Sequence, residues 1–187
     1  WEPFNVETEQ GIDVFRFSDS PVFEALHLLY AYWSSLRGAE SLPGRGDIEP
    51  GRILQVLPHI GLFDVESAPR RYRIRLMGTE IVRWYGCDLS GRYLDEIVFG
   101  HGPRFTFALL DLVVERRQAG HMTGEYTKQD GRTIRYERLF MPLASDGSCV
   151  DMLIGAAYEL PPEAPLRGDC LDVASVALTA PLTPAEG

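Results

Sequence analysis

Lysine is all but missing from this chain. Lys128 stands alone, so nearly all positive charge is arginine, and 18 basic side chains face 27 acidic ones for a net charge of −9. Broad binding to nucleic acid or to an anionic membrane depends on clustered Lys and Arg that neutralise phosphate, and this balance argues against both. Cysteine is scarce too: Cys87, Cys149 and Cys170 are scattered, and no pair has the spacing of metal ligands. An odd, unpatterned set suits free thiols in a reducing compartment, so no metal site is expected and the cytoplasm is the expected location. No apolar run approaches the roughly 20 residues that a membrane helix needs, and no signal-peptide pattern is visible. The recurrent catalytic signatures are also lacking, with no Gly-x-Ser-x-Gly elbow, no His-Glu-x-x-His pair and no phosphate-cradling glycine loop. Asp95 and Glu96 are adjacent carboxylates, but helical neighbours point about 100° apart and do not share a site. No catalytic residue is assigned, and an enzyme is not expected.

What is present is enough for one domain with a proper core: 187 residues, 45% of them hydrophobic. Residues 1–19 mix aromatic and acidic side chains without a period and read as an irregular lead-in. A capping oxygen from Ser18, Asp19 or Ser20 ahead of Pro21 marks a helix start. Phe23, Leu26, Tyr30 and Trp33 then recur at steps of three and four until Gly38, which predicts an amphipathic helix over 21–37. Its aromatic stripe either packs on its own domain or forms a dimer or partner contact, because Leu28, Leu29 and Tyr32 widen the apolar face beyond a narrow seam. Residues 20–56 are thus helix and connector, the latter punctuated by Gly38, Pro43, Gly44, Gly46, Pro50 and Gly51. An Arg45–Asp47 pair is expected to pin it.

The stretch 57–97 organises the rest. A strand over 59–66 puts Phe63 and Val65 on one face and Ile60 and Leu62 on the other. After a turn at Ser67-Ala68-Pro69-Arg70, a strand over 71–77 places Tyr72, Ile74 and Leu76 inward and Arg71, Arg73 and Arg75 outward, the period of a sheet with one wet face. The arginine row reads as a solvated face in preference to a phosphate cradle. A short helix from Ile81 ends in a break at Gly86, and the pentad Leu89-Ser90-Gly91-Arg92-Tyr93 leads into a second short helix. Pro103 opens a long helix to about 118, closed by Ala119-Gly120. Strands over 121–128, 132–143 and 148–159 follow, joined by turns built on Asp130-Gly131 and Asp146-Gly147. Residues 161–187 form a tail rich in Pro, Ala and Leu, frayed at its end.

Helix, two strands, several helices and a three-strand meander make an α+β fold. It has a five-stranded antiparallel sheet with helices packed on one face, plus the N-terminal amphipathic helix. This order resembles a PAS domain. Met77-Gly78-Thr79-Glu80-Ile81, then Tyr85-Gly86-Cys87-Asp88-Leu89-Ser90-Gly91-Arg92, resembles the PAS pattern of a short helix, a turn and a Gly-Arg pair entering the next helix. More narrowly, the chain is similar to the single-domain bacterial PAS family once classed as a domain of unknown function. The likeness lies in Tyr32-Trp33-Ser34-Ser35-Leu36-Arg37-Gly38, Leu42-Pro43-Gly44-Arg45-Gly46-Asp47-Ile48-Glu49-Pro50, Leu57-Pro58-His59-Ile60 and the run from Arg138 to Met141-Pro142-Leu143. The PAS core would then span 57–160.

The resemblance implies a bacterial sensory or protein-interaction module, often dimeric, and leaves its signal and cofactor unknown. Photoactive flavin-binding relatives place the reactive cysteine two residues after a Gly-Arg pair. Here that position is Leu94, and Cys87 lies before the pair, so a covalent flavin is not expected. Haem needs an axial ligand; His101 sits in a glycine-flanked loop and His59 is a candidate satisfied strand histidine, so haem is not expected either. A mostly apolar cavity between sheet and helices would be lined by Trp84, Tyr93, Phe105, Leu109, Met122 and Tyr126, residues that serve equally well as a filled core. Two functions follow. The first is a stand-alone signalling module acting through protein–protein contact, modulated by ligand, with Phe23, Leu26, Tyr30 and Trp33 as contact candidates in a homodimer or with other signalling proteins. The second is a small-molecule or haem receptor whose pocket chemistry is itself the function.

Overall fold

A computed structural model of the chain describes residues 6–7, 13–14, 23–97, 103–127 and 131–162, with the backbone alone at 6–7, 13–14, 103–105 and 126–127. The capping residues expected at 18–20, Pro21, His101, Asp130, Cys170 and the tail beyond 162 lie outside the described residues, as does most of the lead-in. So do the side chains of Phe105 and Tyr126.

A two-residue ladder pairs β1 (Val6–Glu7) with β2 (Asp13–Val14). The main sheet follows α1 (Glu24–Ser35) and comprises β3 (Ile60–Ser67), β4 (Arg70–Met77), β5 (Gly120–Thr127), β6 (Thr133–Leu143) and β7 (Met152–Glu159), ordered β4-β3-β7-β6-β5. Every pairing is antiparallel. The first hairpin and the meander therefore share one sheet, joined where β3 meets β7, as the order of elements predicts. Between β4 and β5 lie α2 (Thr79–Tyr85), a 3-10 turn at Leu94–Glu96 and α3 (Pro103–Arg116).

Helices cover both faces of this sheet, a point that the sequence left open for α1. β6 shows why both can be covered. Its side chains alternate, and both sets are buried: Ile134, Tyr136 and Phe140 join the core under α2 and α3, while Leu139, Met141 and Leu143 join the core under α1. The period-three and -four stripe of α1 puts Leu26, Leu29 and Trp33 into that second core, and Trp33 Nε1 donates to the Pro142 carbonyl at 3.0 Å. The helix begins later than Pro21 suggested. Phe23 holds the cap position with no capping side chain, and its N–H, one of the donors that a helix start leaves over, goes instead to Glu137 Oε2 on β6 at 3.1 Å.

The connector also differs from expectation. Asp47 pins it by accepting from the Gly44 N–H at 2.8 Å, while Arg45 reaches the Ile48 carbonyl; the two do not pair with each other among the described residues. A short carboxylate next to a turn finds a backbone donor more readily than a long flexible partner.

In β4 the strict alternation fails at one place. Phe63 pairs with Ile74 and Leu62 with Leu76, so Arg75 is an extra residue opposite none. Such a bulge reverses the side-chain phase beyond it. Tyr72 and Ile74 point inward as expected, but Leu76 turns out, 43% exposed, and Met77 takes the inward place. The arginine row is an ion-paired outer face: Arg73 and Arg75 meet Asp64, and Arg71 makes a two-point contact with Asp95 and a third bond to Glu96. Exposed pairs of this kind contribute roughly 0–1 kcal/mol each. Arg71 also ties the 3-10 turn at Leu94–Glu96 to the sheet edge.

Two glycines fix the path around that turn. At Gly78 a Cβ would stand 2.3 Å from the Pro58 carbonyl oxygen, so only glycine lets β4 step into α2 here. Gly86 ends α2 in the left-handed region at φ 81°, the break that its position predicted.

Candidate functional site

Between the sheet and the α2–α3 layer lies a cavity of about 90 Å³. Its floor comes from the inner face of the sheet, with Phe63 from β3, Ile74 and Met77 from β4, and Phe140 from β6. Its roof comes from the helical insert, with Ile81 and Tyr85 of α2 and Leu94 of the 3-10 turn. The bulge at Arg75 is what turns Met77 into this wall. The lining is almost wholly apolar.

One side chain breaks that pattern. Arg138 is the single charged residue among the described residues of the lining. It sits on β6 between Tyr136 and Phe140, in phase with both, so the strand's alternation delivers a guanidinium into an apolar space. Arg138 NH1 donates to Thr106 Oγ1 of α3 at 2.9 Å, and NH2 donates to the Tyr85 hydroxyl of α2 at 2.9 Å. The guanidinium also lies 4.0 Å over the Tyr136 ring and 5.7 Å from that of Trp84, contacts that favour a cation. Among the described residues no carboxylate lies within ion-pair distance of it.

On the sheet's other face the neighbouring residue, Glu137, is fully buried. His121 Nε2 donates to its Oε1 at 2.9 Å, and its Oε2 takes the Phe23 N–H at the start of α1. Consecutive residues of one strand thus carry opposite charges to opposite faces, one to the cavity and one to α1.

The cavity wall differs from the expected one. Trp84, Leu109 and Met122 are buried in the same core cluster as Tyr136 and Phe140 but do not line the cavity; they fill the core beside it. Tyr93 faces outward, its hydroxyl bonded to Glu66 at 2.7 Å and its ring covered by Arg71 at 3.6 Å. The strand-like bridge between Arg73 and Tyr93 turns that side chain to the wet side of the sheet edge. Phe105 and Tyr126 lie outside the described side chains. Arg138 carried the sequence signal that was missed: a charge at the one position where it interrupts the period-two apolar face Tyr136-x-x-x-Phe140.

Of the helix candidates, Leu26 and Trp33 are buried in this chain's own core, Phe23 stacks on Tyr158 at 4.6 Å and Tyr30 is half-buried. Leu28 stays outside, 48% exposed. His59 lies in a 3-10 turn under β7, donating from Nδ1 to the Ala157 carbonyl at 3.1 Å and stacking on Tyr158 at 3.9 Å. It is a satisfied histidine away from the cavity. Leu94 does line the cavity, whereas Cys87 is exposed and outside it.

Burial pushes the Tyr72 phenol far above its usual value, and its hydrogen bond to Asp111 of α3 adds to that. This bond ties β4 to α3 and closes that end of the core.

A family model described as PAS domain matches residues 23–158. The chain belongs to the PAS domain family. Solved structures with a similar trace include the dark state of the blue-light photoreceptor Aureochrome1 LOV, at 11% identity, a TM-score of 0.46 and coverage of 76% of this chain and 87% of that one. The LOV protein of Rhodobacter sphaeroides follows at 12% identity, TM-score 0.43 and coverage of 63% and 71%. The PAS domain of an HTR-like protein from Haloarcula marismortui stands at 17%, 0.41, and 59% and 90%. No curated protein matches the chain significantly. Among the described residues of this PAS domain no helix is long and apolar enough to cross a membrane.

Proposed function

We propose that this PAS domain is a bacterial, cytoplasmic, non-enzymatic sensory module in which a ligand in the cavity alters the packing of α1. The signal passes on by protein contact through that helix, first of all with a second copy of the chain. The observation that carries this reading is the back-to-back placement of Arg138 and Glu137 on β6. A ligand that pulls on Arg138 acts on the same two peptide units that present Glu137 to the α1 start. A ligand shifts such an equilibrium only by its difference in affinity between the two packings. Exposed, unpaired Cys87 and Cys149 favour a reducing compartment.

Native mass spectrometry of freshly purified protein, followed by the same sample denatured, tests the first half. Extra mass lost on denaturation is expected. Hydrogen exchange of the α1 amides, compared between loaded and stripped protein, tests the second half. A change confined to the first turns of α1 and to β6 is expected; identical α1 exchange in the two samples rules out the coupling.

A further inference from the structure

We infer that the cavity takes a small monocarboxylate with a short apolar body, anchored by Arg138. The inference rests on the sensor reading above and names its ligand class. A guanidinium has five N–H donors, and only two bonds from Arg138 go to described protein groups, both to neutral hydroxyls. Hydroxyls and aromatic faces solvate the charge without neutralising it. A cation facing a low-polarity space is costly unless an anion meets it, and a planar fork suits the two oxygens of a carboxylate. The rest of the lining decides the remainder of the ligand. Phe63, Met77, Leu94, Ile97 and Phe140 offer hydrocarbon and no second charge, so a second carboxylate, or a strongly hydrated ion such as phosphate, would lose its water without return. Size points the same way: an enclosed cavity of roughly 150 Å³ holds benzene, and this one, at about 90 Å³, suits a smaller body, that of a short-chain acid.

The experiment is a calorimetric titration of the whole chain, stripped of co-purified small molecules by unfolding and refolding. The probes are the straight-chain acids from acetate to hexanoate, with butyramide, succinate and inorganic phosphate as controls. Saturable binding with an optimum inside the series is expected, with butyramide, succinate and phosphate weaker by about tenfold or more, the loss that goes with one charge-assisted contact. Arg138→Gln should abolish the preference for butyrate over butyramide. Should that variant fail to fold, Arg138→Lys keeps the charge without the fork and is expected to bind more weakly. The wild-type comparison of butyrate with butyramide needs no variant at all. Equal binding of acid and amide, or no saturable binding of any acid at millimolar concentration, overturns the ligand class. A neutral co-purified ligand that changes α1 exchange would also overturn it, yet leave the sensor reading standing. Carboxylate binding without any change at α1 would do the reverse.

Discussion

Glu137 and Arg138 show how much a single strand position can decide. Arg138 is the one charge on its face of β6, and Glu137 is the buried one on the other; the neighbouring strand's His121 and the α1 start provide for Glu137, and Thr106 and Tyr85 of the helical layer for Arg138. Glu137→Ala removes an acceptor shared by the Phe23 N–H and the His121 ring in a dry place. Each buried group left without its bond costs about 1–3 kcal/mol, so a loss of that order or more is expected in urea denaturation. Faster exchange at the first turn of α1 should accompany it. Glu137→Gln keeps an oxygen there and should lose less than the alanine variant. Equal midpoints for the alanine variant and the wild type would mean that Glu137 does not hold α1.

At the scale of elements, the Asp146 turn between β6 and β7 makes a test by pH. Asp146 Oδ1 accepts from the Ser148 N–H at 2.8 Å and the Cys149 N–H at 2.7 Å, and these backbone donors hold its carboxyl below the usual carboxylate range. Its folded value lies under the unfolded one, so the contribution is complete above the unfolded pKa of about 4 and fades as pH falls through the folded value. Amide chemical shifts of Ser148 and Cys149 should therefore hold steady down to about pH 4 and move only below it. Asp146→Asn, which keeps the oxygen, should remove that acid transition. The turn was plain in the sequence, as were the strands, because Asp-Gly pairs and period-two runs are local signals. What lay hidden were effects of partners distant in sequence. The bulge at Arg75 swaps Leu76 for Met77 and depends on pairing with β3. Tyr93 is drawn outward by Glu66 and Arg71, and α1 starts at Glu24 because Glu137 caps it from over a hundred residues away. The cavity suffered most: Trp84, Leu109 and Met122 belong to the right core, but which apolar side chain faces a space and which fills one is set by packing between layers, and no periodicity encodes it.

At the scale of the whole molecule, α1 has two sides with separable duties. The inner one, with Leu26, Leu29 and Trp33, is part of the chain's own core; the outer one keeps Leu28 half-exposed. If α1 also carries the proposed contact with a second copy, the two sides answer differently to substitution. Trp33→Ala deletes a fully buried side chain and its bond to Pro142, a loss of about 3–5 kcal/mol by the usual cost of emptying an aromatic site, and any change in association would follow from the loosened fold. Leu28→Glu alters a surface position, where stability moves by no more than about 0.5 kcal/mol, but it places a charge where an apolar contact between copies would have to close. The expected outcome is a two-chain mass for the wild type by light scattering, and a one-chain mass for Leu28→Glu at an unchanged melting temperature. A Leu28→Glu protein that still runs as two chains moves the contact away from α1, while a wild type that runs as one chain leaves α1 as an intramolecular cap over the sheet and makes another protein the receiver of its signal.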